Sequence, residues 1–285
     1  MSMNDEKNIG GGLLASVPDE RDFSFGAVFS LPALSELPNE YTVGARPIKN
    51  QYGSDLCSSF AATAVSEDQE LAELSPEFQF AQTKKLTGDW QSWGSGLRDV
   101  CKSMVKVGSI PVNRLPDEFK LLPDNSNRNR IADWTQWPSG IELYATKYRK
   151  KSYFSVGGQY TTFDNFRTTL YQNRKEERSI LTGVTWQQEW SGKSYIDKDD
   201  GHPAFGHAFK CFGFKNDYLI CQLSNGLSVG ENGIMYFHKN VVNKQFNYGG
   251  FLFMDLEREE AEWYIKKGVK KTDPWLRRLI ISLFH

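Results

Sequence analysis

The apolar pattern changes character part-way along the chain, and that change narrows the fold more than any other feature. Up to about residue 125 the apolar positions recur at helical spacing. "SSFAATAVSEDQELAEL" at 58–74 places Phe60, Ala64, Leu71 and Leu74 along one side of a helix of strong intrinsic propensity. "PEFQFAQTKKLT" at 76–87 and "GLRDVCKSMVKV" at 96–107 read as two more helices, the first with proline in its opening turn. After the loop-like "LPDNSNRNR" at 122–130 come short β-prone runs: "YFSVGG", "SILTGVTW", "HAFKCFGF", "DYLICQL", "GIMYF" and "GGFLFMDL". One helix, at about 162–173, interrupts them. The expectation is an α+β protein with a mainly helical half at 41–125 and a mainly antiparallel β half at 126–255. Residues 1–40 read as an extended arm, with "GGG" at 10–12 and prolines at 18, 32 and 38. Residues 256–285 return to helical patterning in "DPWLRRLIISLF", and "KKGVKK" at 266–271 reads as a solvated linker.

A chain of 285 residues can bury a substantial core, and none of its apolar runs approaches the roughly 18 residues that span a bilayer. Lys plus Arg (34) nearly balances Asp plus Glu (35), which leaves no net field to attract nucleic acid or an anionic membrane. The four cysteines are too scattered for a disulfide scaffold or a zinc site, so neither metal nor cofactor is expected. The acidic, Gly-rich N-terminus lacks a secretory pattern, and with the scattered cysteines it points to a reducing, cytoplasmic setting.

Cys57 stands at the start of the first long helix, where the helix dipole and free N–H groups favour a thiolate. A nucleophile also needs a base and donors for the developing oxyanion. Of the four histidines, His285 is terminal, His238 lies late in a strand and His202 sits in a loop before Pro203. His207 opens a β run between Gly206 and Ala208, where an imidazole can project into a cleft between the halves. Gln51, six residues before Cys57, can offer its side-chain N–H to the oxyanion that the Cys57 backbone N–H reaches.

"PIKNQYGSDLCSSFA", "FGHAFKCFGFKNDYLI" and "SVGENGIMYF" together resemble the papain-like cysteine peptidases over roughly residues 40–255. "VPDERDF" and "WGSGLRDVCKSMVKVGSIP" look most like short bacterial or phage-type members without a long propeptide. The resemblance implies a papain-like two-part fold, with a β-barrel-like second half and the active site in the cleft. It also implies a peptidase or amidase acting on peptide or protein through a thioester. Cys57 would be the nucleophile, His207 the base and then acid, and Gln51 an oxyanion donor. Gly94, Ser95 and Gly96 would lie against the substrate backbone. The alternative is a papain-fold binding or scaffold protein without turnover.

The family's imidazole-orienting Asn has no clear counterpart. Without gaps it falls on Leu223, and the family Trp falls on Asn225. A three-residue hairpin loop at Lys215–Asp217 would pair Phe214 with Tyr218 and bring Asn225 opposite His207, making Asn225 the orienting residue. The family register would put Leu223 there, leaving Gln222 or nothing to orient the ring. In the hairpin register Cys211 faces Cys221 as two reduced core thiols. The arm is expected to clamp the surface through ion pairs of Asp19, Glu20, Arg21 and Asp22, with Phe23 and Phe25 as apolar contacts, and to leave activity unrestrained.

Overall fold

The computed structural model describes residues 10–16, 19, 22–70, 72–89, 92–157, 161–199 and 201–254. The expected helical extension at 256–285 lies outside them. In chain order the elements are β1 (Leu13–Leu14), α1 (Phe25–Val28), β2 (Glu40–Thr42), α2 (Cys57–Ser66), α3 (Pro76–Thr87), β3 (Ser95–Gly96), α4 (Leu97–Lys106), α5 (Arg128–Ala132) and α6 (Glu142–Ala145). There follow β4 (Ser152–Val156), α7 (Phe163–Gln172), β5 (Ile180–Gln187), β6 (Tyr195–Ile196), β7 (Pro203–Lys215), β8 (Tyr218–Gln222), β9 (Ile234–His238), α8 (Lys239–Gln245) and β10 (Gly250–Met254).

The helix signals act locally as the sequence indicates. Ser75 caps α3 by accepting from Phe78 N, Pro76 starts it, and Gly88 ends it at φ 67° in the left-handed region. Thr162 and Asn165 form a reciprocal cap on α7. The first long helix is shorter than its propensity suggests: it stops at Ser66 and tightens into a 3-10 turn at Glu67–Gln69. Two buried carboxylates explain this. Glu67 accepts from Lys49 Nζ at 2.5 Å and from Leu74 N at 2.6 Å, and Asp68 pairs with Lys210 while accepting from Ser179. Burying these groups requires the chain to turn inward, and that tertiary demand outweighs helix propensity. Helical turns also continue beyond residue 125 as far as Tyr148, because Ile131, Trp137, Ile141 and Ala145 pack with Phe78 and Phe119.

Eight strands form one sheet in the order β4-β10-β5-β7-β8-β9-β6, with β2 paired to β7. It is open rather than barrel-like, and its β6–β9 pair is parallel. Alternation along the strands serves two cores. Ile180, Val184, Trp186, Phe209 and Cys211 join the core that includes Phe166 of α7 and Val241 of α8. Leu181 and Ala208 meet Ala61, Val65, Val100 and Met104 of α2 and α4. Buried Lys210 meets Asp68 across the same seam, so a buried ion pair ties the helical half to the sheet.

The β7–β8 hairpin corrects the expected loop and keeps its consequence. Lys215 pairs with Tyr218, so the loop has two residues, Asn216 and Asp217, with Asn216 at φ 50°. An irregularity between Cys211 and Gly213 inserts one residue on β7. Beyond it Cys211 pairs with Cys221 and Lys210 with Gln222, the register expected at the site end. Cys211 and Cys221 are both buried free thiols.

Candidate active site

Gln51 and Cys57 are carried on the loop that enters α2, and this loop is tied down by its own polar groups. Gln51 is completely buried; its N–H donates to Ser224 O at 2.6 Å, its Oε1 accepts from Ser224 Oγ at 2.6 Å, and its Nε2 donates to Ser54 O at 2.7 Å. Tyr52 takes φ 52° with its N–H on Asn50 Oδ1 at 2.8 Å. Cys57 is the first residue of the fully buried α2, and its thiol interacts with the Ala208 backbone of β7. Burial pushes that thiol up to about 12, with nearby Asp55 adding to the effect, while the Ala208 backbone and Ser58 favour the thiolate.

His207 lies on β7 against Trp186, whose ring is 5.5 Å away and nearly perpendicular, with Phe205 and Phe209 nearby. Burial lowers its pKa to about 4, partly offset by a hydrogen bond to Gly10 and by the Asn225 side chain. Asn225, also buried, is therefore the residue at the ring. Gln222 turns away, accepting from Arg46 N at 3.1 Å and donating to Pro47 O, and Leu223 is buried in the apolar core. Of the other histidines, exposed His202 pairs with Glu189 and His238 accepts from Asn240 N at the start of α8. His285 lies outside the described residues.

The arm enters this site, contrary to the expectation that it only clamps the surface. Gly10 O accepts from His207 Nδ1 at 2.9 Å and from Gln51 Nε2 at 3.2 Å. Gly12 O accepts from Ser95 N at 2.9 Å, and Leu13–Leu14 pairs in parallel with Ser95–Gly96. Leu13 is buried with Cys57, Ala208, Leu181 and Phe251. Gly94, Ser95 and Gly96 thus face a peptide backbone, and that backbone is the chain's own. Lys84 Nζ and Ser58 Oγ hold this loop through the carbonyls of Gly94 and Ser95. The surface ion pairs expected for the arm are partly replaced: Asp22 is buried against Arg98 Nε and accepts from Tyr153 OH at 2.9 Å, while Lys102 lies 3.7 Å from Asp19. Glu20 and Arg21 lie outside the described residues.

With the arm in place the thiol and the imidazole are both fully buried and both neutral at pH 7. His207 Nδ1 donates to Gly10 O, so that ring nitrogen is not free to accept a proton. Sequence reading missed Ser224, which locks Gln51, and Trp186, which shields the imidazole. Nothing in one strand's local pattern marks either role. The triple glycine at 10–12 was visible, but only the packing reveals what it passes. Among the described residues no group of three or more His, Cys, Asp or Glu side chains could hold a metal ion, and no helix is long and apolar enough to cross a membrane.

With Cys57 at the start of α2 and His207 on β7, the chain has the fold of the papain-like cysteine proteases. Xylellain, a cysteine protease from Xylella fastidiosa, superposes with a TM-score of 0.72 at 19% identity, over 90% of this chain and 100% of that one. Procathepsin B S9 from Trypanosoma congolense gives 0.62 at 14% identity, over 88% of each chain, and digestive procathepsin L 3 from Tenebrio molitor gives 0.59 at 12%, over 82% and 75%. No family model and no curated protein matches the sequence.

Proposed function

We propose that the chain is a cysteine peptidase held in a latent state by its own N-terminal segment. The observation that carries this reading is the Gly10 carbonyl: groups from both walls of the cleft converge on one peptide oxygen, Gln51 from the helical side and His207 from the sheet. Once the arm leaves, Gln51 Nε2 is free for a substrate carbonyl and the imidazole is free to act as a base. Cys57 gives its thiol proton to His207 and attacks the carbonyl carbon. The oxyanion is held by Gln51 Nε2 and the Cys57 backbone N–H. The intermediate collapses as His207 protonates the departing amine, leaving a thioester. His207 then takes a proton from water, the hydroxide displaces Cys57 Sγ, and the acid product leaves. Asn225 keeps the ring oriented through both proton transfers. The scaffold alternative drew on Leu223 replacing the orienting Asn, and the Asn225 side chain beside the ring supports the peptidase reading over it.

The test uses the full chain with Leu13→Asp, which puts a carboxylate into an apolar pocket and so expels the arm. This variant should react rapidly with iodoacetamide at Cys57 and hydrolyse peptide substrates. Adding Cys57→Ala should abolish hydrolysis, and turnover that survives in the double variant would overturn the mechanism.

A further inference from the structure

Of the three glycines that cross the site, Gly10 and Gly12 have no room for a side chain and Gly11 is tightly bounded. At Gly10 a Cβ would run into the Ser54 carbonyl oxygen and the Gly53 backbone, with Gln51 Nε2 at 3.0 Å. At Gly11 it would stand 3.0 Å from Phe205 Cβ and 3.1 Å from its ring. At Gly12 it would overlap the Asp55 backbone. From the facing loop, a Cβ on Gly94 would strike Gly12 O. Most of these walls are main chain, and the main chain is fixed: Ser54 N donates to Gln51 O at 3.0 Å, Gln51 Nε2 donates to Ser54 O, and Asp55 is paired with Arg128. The cleft is therefore a slot about three residues long that admits bare backbone.

At its end the slot opens. Leu13 enters an apolar pocket with Leu181, Ala208 and Phe251, and Gly183 and Gly206 leave the space, since a Cβ on either would meet Leu13. We infer that the slot sets specificity: the substrates are glycine-rich peptides, with consecutive glycines crossing Cys57 and an apolar residue beside them. The inference rests on the peptidase reading above. The docked arm holds His207 Nδ1 as a donor to Gly10 O, so that nitrogen is not free to act as a base while the arm fills the slot. The width of the slot does not depend on which way a chain runs through it.

Two measurements test this. Full-length Leu13→Asp protein is assayed with quenched fluorogenic peptides carrying leucine beside Gly-Gly-Gly, on either side, and with their Ala-Ala-Ala counterparts. The glycine peptides should be favoured at least about 100-fold in kcat/KM. Cleavage of both sets within about threefold overturns the slot and leaves the peptidase reading standing. No cleavage of any peptide, with Cys57 freely alkylated, overturns the peptidase reading and this inference with it. Independently of turnover, Gly10→Ala in the otherwise unsubstituted chain should raise the rate of Cys57 alkylation by iodoacetamide at least about tenfold. Gly44→Ala, where a Cβ meets no atom within 4 Å, should leave it unchanged. An unchanged rate in Gly10→Ala overturns the slot even if Leu13→Asp does not fold.

Discussion

The arm consists of two regions held by different forces. Gly10–Leu14 is fixed by hydrogen bonds at backbone carbonyls and a two-residue parallel pairing, with Leu13 as its one buried apolar side chain. Asp22–Phe29 is fixed by side chains: Asp22 lies buried between Arg98 and Tyr153, and Phe25, Val28 and Phe29 are in the main core. Phe25 stacks on Phe29 at 4.5 Å and meets Phe154 edge-on. Backbone hydrogen bonds exchange readily for water and net only about 1 kcal/mol each, whereas buried aromatic area has no such substitute. The first region is built to open locally, and the second to remain when it does. The difference teaches that occlusion and attachment are separate functions of one segment.

That separation breaks if damage to the anchor behaves like damage to the plug. Phe25→Ala should cost about 3–5 kcal/mol of global stability, seen as a lowered Tm and urea midpoint, because it empties a core site. A loss below about 1 kcal/mol would show that the anchor is peripheral.

Acid should act next, and on the plug alone. His207 has its pKa lowered to about 4 by burial, against an ordinary value of 6.5, so the docked state binds fewer protons than the opened one. Docking is therefore at full strength above about pH 6.5 and weakens as pH falls through the window down to about 4, by at most about 3 kcal/mol. The methyl resonances of Leu13, followed by NMR from pH 7 to pH 4, should move toward solvent-exposed values while those of Val28 stay in place. Release on raising the pH would contradict the sign.

Leu13→Ala removes the plug's main apolar contact and should weaken docking by about 2 kcal/mol, at the low end for such a truncation because the site borders a cleft. Cys57 alkylation should quicken about 30-fold with Tm nearly unchanged, so a large fall in Tm would mean plug and anchor unfold together. Lys102→Ala, which removes the half-exposed partner of Asp19, should cost less than about 1 kcal/mol in either assay.

Much of the site was legible in sequence because its parts are local. Cys57 follows Gln51 on one loop and starts a helix that its alanines specify, and His207 lies on a long β run, which begins at Pro203 and not at His207 as expected. Asn225 was harder: its placement depended on a register, and the loop assumed for that register was one residue too long. The irregularity at Cys211–Gly213 restored the phase at the site end. A strand's alternation identifies its faces but carries no mark for such an inserted residue. The early stop of α2 was hidden for a related reason, since Glu67 and Asp68 look like solvated helix residues until Lys49 and Lys210 arrive from elsewhere.

By itself the sequence determined the α+β class, the starts of the long helices, and the placement of a cysteine at a helix N-terminus. These follow from propensity, capping and periodicity, which act over a few residues. Tertiary structure alone decided where the arm lies. Its glycines carry no side chain to advertise a partner, and the carbonyls that bind Gln51 and His207 are common to every residue. Only when the walls at Gly53–Asp55, Phe205 and Gly94 are assembled does the absence of a side chain become the feature that lets this segment enter.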